Sequence, residues 1–291
     1  MQQPESYPYW HMARVMPSVI MGFCCMVGIP GNVVVLIVVG RKFESGNFNM
    51  RLMLNLALCD LMVLLCLPLV INNLLRNWDL GSAACKLLFF LIYCSLNGSV
   101  LTITLLSVQR YVQVLYPHSW ARLGRMGEEA LLLSLWGLAG FIASPAFSVL
   151  DVKTYDNRQF CSSHYKNLRQ KMAILLVQTL LGFVVPCCIL VTSYFYLHKR
   201  VSQAALFRQR RLTKLVTCIV VSFFCFWTPL HLFNLLALVN LAVQNEVVEN
   251  VCDSAWNILM GFTIINSCLN PFLYAFASSG IPRASPHPTS T

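Results

Sequence analysis

The sequence predicts an all-α membrane protein: a seven-transmembrane helix bundle with its N-terminus outside and its C-terminus in the cytoplasm. Three observations predict it. Of 291 residues, 57% are hydrophobic and only 11% are charged, where a soluble domain carries about 25% charged residues. Seven apolar runs follow one another, at about 15–40, 52–75, 87–108, 130–150, 172–197, 215–241 and 254–279. Each can cross a bilayer, because a spanning helix needs about 20 residues rising about 1.5 Å each. The loops are also asymmetric in charge. Thirteen of the 21 Lys and Arg fall on one set of loops with three acids, and eight fall on the other set with seven acids. The basic side is cytoplasmic. The formal charge of +10 is thus a consequence of topology, and it requires no nucleic-acid partner.

Residues 1–14 form a short extracellular segment. It has no apolar core of the signal-peptide kind, so the first span serves as its own targeting signal. Residues 15–279 form the membrane domain, and 280–291 a short flexible cytoplasmic tail. Strand-length alternating segments are absent, which leaves helices as the means of satisfying the backbone in lipid. No internal repeat is present, which argues against a transporter. Of 13 cysteines, ten lie inside apolar runs and behave as small hydrophobes. Cys85, Cys161 and Cys252 fall at span ends or in loops. No Cys/His spacing suggests zinc. The connection from His198 to Lys214 is short and basic, which suits anionic membrane lipid, a cytoplasmic partner, or both. Asn97-Gly98-Ser99 matches a glycosylation sequon but lies mid-span, out of reach of the transferase.

The third span opens at Cys85-Lys86 and ends at Gln109-Arg110-Tyr111. A guanidinium there must sit at the interface or face the protein interior. Every other span also carries polar or helix-bending residues: Gly31-Asn32 in the first, Asn55 to Asp60 in the second, Trp136 in the fourth, and Pro186 and Tyr194 in the fifth. Phe226-Trp227-Thr228-Pro229 lies in the sixth, and Asn266-Ser267-Cys268-Leu269-Asn270-Pro271-Phe272-Leu273-Tyr274 in the seventh. Asp60 is the only acid inside a span. A buried carboxylate is paired or neutralised, so Asp60 is either a protonated structural residue held by Asn32 and Asn270 or part of a cation site.

With one signature per helix in this order, residues 20–276 resemble the rhodopsin-like (class A) G-protein-coupled receptors. The resemblance implies a disulfide between Cys85 and Cys161. It implies an allosteric sodium site at Asp60, Ser99, Asn266, Ser267 and Asn270, with no other cofactor. It assigns G-protein coupling and activation to Arg110, Tyr111, Pro117, Tyr194, Pro229, Asn270, Pro271 and Tyr274. Pro186, Pro229 and Pro271 each remove a helix hydrogen bond, and the bend at Pro229 is implied to be a hinge. Trp227 beside it is implied to sense ligand at the pocket floor. The expected partners are an extracellular ligand, a heterotrimeric G protein, arrestin and membrane lipid, at the plasma membrane.

Two features depart from the family. Gln109 stands where an acid usually precedes the arginine, and Gln209 stands where the sixth span often supplies a second. Arg110 has therefore lost both ionic restraints. The expectation is raised basal signalling, or a resting state held by packing. After Phe276 the chain runs into Ala-Ser-Ser-Gly and prolines at 282, 286 and 288, which oppose a further helix. Ser278, Ser279, Ser285, Thr289, Ser290 and Thr291 offer few arrestin-directed phosphosites.

The ligand is approached by elimination. An amine receptor would carry an acid where Ile92 stands, and a retinal pigment would need a lysine in the seventh span. The expected pocket comprises Phe89, Ile92, Tyr93, Asn97, Lys171, Gln178, Trp227, His231 and Asn234: an apolar wall with dispersed hydrogen-bonding groups and no buried charge. Lys166, Arg169 and Lys171 add positive charge, as ligand contacts or as ordinary membrane-surface charge. Gly28 to Asn32, Asn55 to Leu61, Phe226 to His231 and Ala277 to Gly280 resemble the chemoattractant branch, most of all leukotriene B4 receptors. That implies a hydroxylated fatty-acid mediator and an inhibitory-type G protein. Gln178 and Leu150 depart from that pattern. A chemotactic peptide is the alternative ligand, and a non-signalling decoy or scavenger the alternative function. A channel is disfavoured by the single intramembrane acid. An enzyme is not expected, since no nucleophile–base or metal constellation is present.

Overall fold

In the computed structural model the apolar runs become seven long helices, and the structure describes residues 11–41, 48–155, 157–200 and 210–278. A π-helical turn, His11–Val15, leads into α1 (Met16–Arg41); α2 is Phe48–Leu75 and α3 is Gly81–Leu115. α4 is Pro117–Ala143. α5 (168–200) is built of Leu168–Thr179, a π turn at Leu180–Val184, and Val185–Arg200. α6 is Arg210–Val243 and α7 is Glu246–Ser278. Gln209 and the tail lie outside the described residues, as do the side chains of Pro117 and Tyr274.

Among the described residues, α1 to α6 carry windows apolar enough to cross a membrane. α7, with 33 residues, is also long enough. Asn266 and Asn270 lower its hydropathy, and both are buried. The helices close into a ring in the order α1, α2, α3, α5, α6, α7 and back to α1, with α4 packed outside on α3. α3 also touches α6. Its position is central: 61% of its apolar window is buried, against 22% for α1.

The helices outrun the apolar runs at both ends. α3 begins four residues before Cys85 and continues past Arg110 to Leu115. α7 begins at Glu246 rather than Ser254. Polar end-turns keep their helical hydrogen bonds in water, so hydropathy underestimates helix length. The fourth span differs in the other direction. α4 ends at Ala143, and Leu150 already belongs to a strand. Inside α4, Gly124 adopts φ 60° and ψ −177°, a conformation that glycine tolerates. It separates the first turns of α4 from the rest.

The expectation of no strand is corrected. β1 (Leu150–Tyr155) and β2 (Arg158–Ser163) form an antiparallel hairpin, with Val152 opposite Cys161. Its signal is weak because β1, Leu-Asp-Val-Lys-Thr-Tyr, alternates only briefly after the fourth apolar run and β2 is mostly polar. The Cys85–Cys161 disulfide, with Cα atoms 5.6 Å apart, ties β2 to the start of α3. Ser82 donates to the Asp151 carboxylate on the same face. That bond is the chief reason the Asp151 carboxyl lies below the usual carboxylate range.

The prolines sit where a span can absorb them. The π turn at Leu180–Val184 immediately precedes Pro186 in α5. A π bulge redistributes the ladder where a regular hydrogen bond is lost. Pro229 and Pro271 lie inside continuous helices.

Candidate functional site: four layers along the third span

Between the hairpin and the helix bundle lies a cavity of about 940 Å³. Of the expected pocket residues, Phe89, Ile92, Tyr93, Lys171, Gln178 and Asn234 line it. Lys166 and Arg169 are exposed and do not. The sequence reading missed Arg14, Glu249 and Asn257, all of which line it. Arg14 and Glu249 had counted only as loop charges. The pattern of loops does not reveal that the turn before α1 folds inward. Asn257 Nδ2 donates to the Ala13 carbonyl at 3.1 Å, and the Arg14 guanidinium lies 4.7 Å from the Phe160 ring centroid. Together they hold that turn against α7 and the hairpin. At the rim, Lys171 Nζ and Glu249 Oε1 are 3.5 Å apart.

Asn97, Trp227 and His231 are not at the cavity wall; they belong to a buried layer beside it. His231 stacks on Phe183 at 4.5 Å and 13°, and on Trp227 at 5.9 Å and 11°. Phe183 reaches this stack from the π turn of α5. Neither ring nitrogen of His231 has a hydrogen-bond partner among the described residues. Asn97 is turned along its own helix, donating to the Tyr93 carbonyl at 2.7 Å. Asn97 and His231 each lie about one turn from a wall residue on the same helix, Tyr93 and Asn234, and Trp227 lies about two turns from Asn234, which is why hydropathy and spacing could not separate the two sets.

The next layer holds Asp60. Ser99 donates to its carboxylate at 3.1 Å and Asn270 Nδ2 at 2.6 Å, and Ser267 also hydrogen-bonds to it. Asn32 does not touch it. Its Nδ2 donates to the Gly28 and Ser267 carbonyls, at 3.0 Å each, so it braces the helix that presents Ser267. Asp60, Asn32 and Asn270 are wholly buried. The Oδ1 atoms of Asn32, Asn266 and Asn270 lack hydrogen-bond donors among the described residues. A carboxylate with nearby hydroxyls and donor-free amide oxygens is the donor set a hard cation takes. The residues therefore fit the implied sodium ion.

At the far end of α3, Arg110 is buried with 5% exposure. Tyr194, from α5, lies beside it and hydrogen-bonds to Thr217 and Ser107. Tyr111 packs its ring 6.4 Å from Tyr196. Gln109 is fully buried, and neither amide atom has a hydrogen-bond partner among the described residues. It is therefore no hydrogen-bonded substitute for the missing acid.

A ring of seven helices with this layering is a signalling-receptor architecture, and residues 31–274 match the family described as 7 transmembrane receptor (rhodopsin family). The chain belongs to that family, in its chemoattractant branch: it is a multi-pass G-protein-coupled receptor of the plasma membrane and not an enzyme. C5a anaphylatoxin chemotactic receptor 1 of Danio rerio is 30% identical over 266 residues, covering 89% of this chain and 76% of that receptor. Leukotriene B4 receptor 1 of Homo sapiens is 29% identical over 273 residues, covering 91% and 78%. Type-1 angiotensin II receptor of Homo sapiens is 30% identical over 272 residues, covering 89% and 76%.

Proposed function

We propose that this receptor binds a hydroxylated fatty-acid mediator of the leukotriene B4 type and activates an inhibitory-type G protein. The observation that carries the reading is the cavity itself. It offers about 940 Å³ with Phe89, Ile92 and Leu175 as apolar wall. Tyr93, Gln178 and Asn234 are spaced along it as hydrogen-bonding groups, and Lys171 is the cation at its rim. An amphiphile with an acidic head and separated hydroxyls matches those elements one by one. Asn97, Trp227 and His231 lie next to the wall, where they respond to how deeply a ligand packs. The hairpin end is extracellular and the Arg110 end cytoplasmic, in keeping with the loop charges.

Activation acts through the same layers. A ligand pressing on the Trp227–His231 stack biases the bend at Pro229. The far end of α6 then moves from Arg110, Tyr111 and Tyr194, and opens the G-protein site. Pro271 and Tyr274 let α7 follow, and Pro117 starts the helix beside that site. Sodium, when bound at Asp60, Ser99, Asn266, Ser267 and Asn270, supplies a positive charge that neutralises Asp60. Those side chains then hold α2, α3 and α7 together, which opposes the movement. Arrestin and anionic lipid at the basic loops are further partners.

A second reading, a chemotactic peptide as ligand, is favoured by one observation: the 30% identity to a C5a receptor. G-protein dissociation in cells, with leukotriene B4, related hydroxylated fatty acids and chemotactic peptides as probes, tests both. Response to the lipids supports the first reading. Response to peptides alone replaces it, and ligand uptake without dissociation means a decoy.

A further inference from the structure

The cation that the proposed ligand needs is already occupied. Lys171, at the start of α5, and Glu249, in the first turn of α7, both line the cavity and face each other across its rim at 3.5 Å. Of the other basic side chains at the wall, Arg14 lies over Phe160, and His164 Nδ1 is 2.8 Å from Lys153 Nζ. We propose that Glu249 is a positioning and selectivity residue. It holds Lys171 across the cavity mouth, and an entering ligand's carboxylate displaces it from that lysine.

The physical argument is competition. Lys171 and Glu249 are 24% and 57% exposed. An ion pair this wet is weak, so it closes the mouth loosely and yields to a better-placed anion. A ligand carboxylate sits deeper, anchored by its apolar chain, and meets Lys171 with less solvent screening. Glu249 then turns back to water at little cost because it is exposed. The rim thereby discriminates. A neutral amphiphile has nothing with which to open the pair, and an anion is admitted against a modest, fixed penalty. Cys252, one turn further along α7, also lines the cavity and keeps its thiol, so its accessibility reports on whether the mouth is open.

The inference rests on the lipid reading for its ligand but not for its geometry, and the experiment separates the two. Full-length wild-type receptor, Glu249→Gln and Lys171→Met are compared in cells for G-protein dissociation by leukotriene B4 and by its methyl ester. The rate at which an anionic methanethiosulfonate labels Cys252 is measured without ligand, with Cys252→Ala as the blank. Glu249→Gln is expected to raise potency for the acid about two- to fivefold. It should leave the ester unchanged and speed Cys252 labelling, while Lys171→Met lowers potency for the acid. A Glu249→Gln variant with unchanged or reduced acid potency and unchanged labelling overturns the proposal. If wild type ignores leukotriene B4 altogether, the lipid reading fails, and the labelling rate alone decides the clasp. Glu249→Asp, which keeps the charge, is expected to restore wild-type labelling, and a merely structural role would not sort the variants by charge.

Discussion

Asn73 grips the backbone of Cys161 from both sides: its Oδ1 accepts from the Cys161 N–H at 2.8 Å, and its Nδ2 donates to the Cys161 carbonyl at 3.0 Å. A side-chain amide thus completes the outer edge of β2 where a third strand would otherwise pair. Trp78 N–H adds a bond to the Gln159 carbonyl at 2.8 Å. The hairpin is therefore fastened to α2 as well as to α3, and the cavity keeps its roof by hydrogen bonds in addition to the disulfide.

Asn73→Ala removes both bonds while leaving Cys85–Cys161 in place. The two freed backbone groups are buried, and an unsatisfied buried group costs about 1–3 kcal/mol. The expected result is a lower thermal midpoint for the purified receptor and faster amide exchange across 158–163. An unchanged exchange rate there would show that the disulfide alone seats the hairpin.

Sodium is expected to stabilise the receptor through the Asp60 layer. Wild type should melt at a higher temperature in sodium chloride than in choline chloride of equal strength. Asp60→Asn should abolish that difference, because it removes the only charge among the ligating oxygens. Asn266→Ala should reduce it by removing one donor-free oxygen. Equal melting of wild type in the two salts would mean that Asp60 is held by Ser99, Ser267 and Asn270 alone.

Gln109 is a buried amide whose polar atoms lack hydrogen-bond partners among the described residues. Gln109→Leu is therefore expected to stabilise the receptor by about 1 kcal/mol, since it removes the desolvation penalty and keeps the volume. Gln109→Asp places an acid beside Arg110 and should lower ligand-free nucleotide exchange on the G protein. Identical exchange in wild type and Gln109→Asp would show that packing alone sets the resting state.

These residues also mark what could be read in advance. The seven helices and the lone acid Asp60 were readable because the bilayer enforces long apolar runs and makes each intramembrane charge conspicuous, whereas the Cys85–Cys161 bond and the partners of Asp60 were implied by the resemblance of the motifs to the receptor family. The hairpin was not, since β1 follows directly on the fourth apolar run with only a short alternation of its own and β2 is mostly polar. The inward fold of Arg14 and the Lys171–Glu249 pair were not either. Charges at span ends look alike in sequence, and only tertiary packing tells a solvated lysine from one that faces a cavity. Asn97 and His231 share a helix face with Tyr93 and Asn234, and a displacement of one turn along the helix decides between wall and interior.

Gly98 tests whether the α2–α3 contact sets the geometry of the Asp60 layer. A Cβ built on Gly98 would come within 2.9 Å of Cys59 Sγ, and Cys59 is wholly buried. Overpacking of this kind costs about 1–3 kcal/mol. Gly98→Ala should therefore lower the thermal midpoint, and Cys59→Ala in the same chain should recover most of the loss, because neighbouring substitutions couple. Gly98 and Cys59 adjoin Ser99 and Asp60, whose hydrogen bond at 3.1 Å crosses the same contact. Pushing the helices apart lengthens that bond, so Gly98→Ala should also shrink the sodium-dependent gain in stability, and the double variant should return it. A loss of stability with an undiminished sodium effect would place the strain elsewhere along α3.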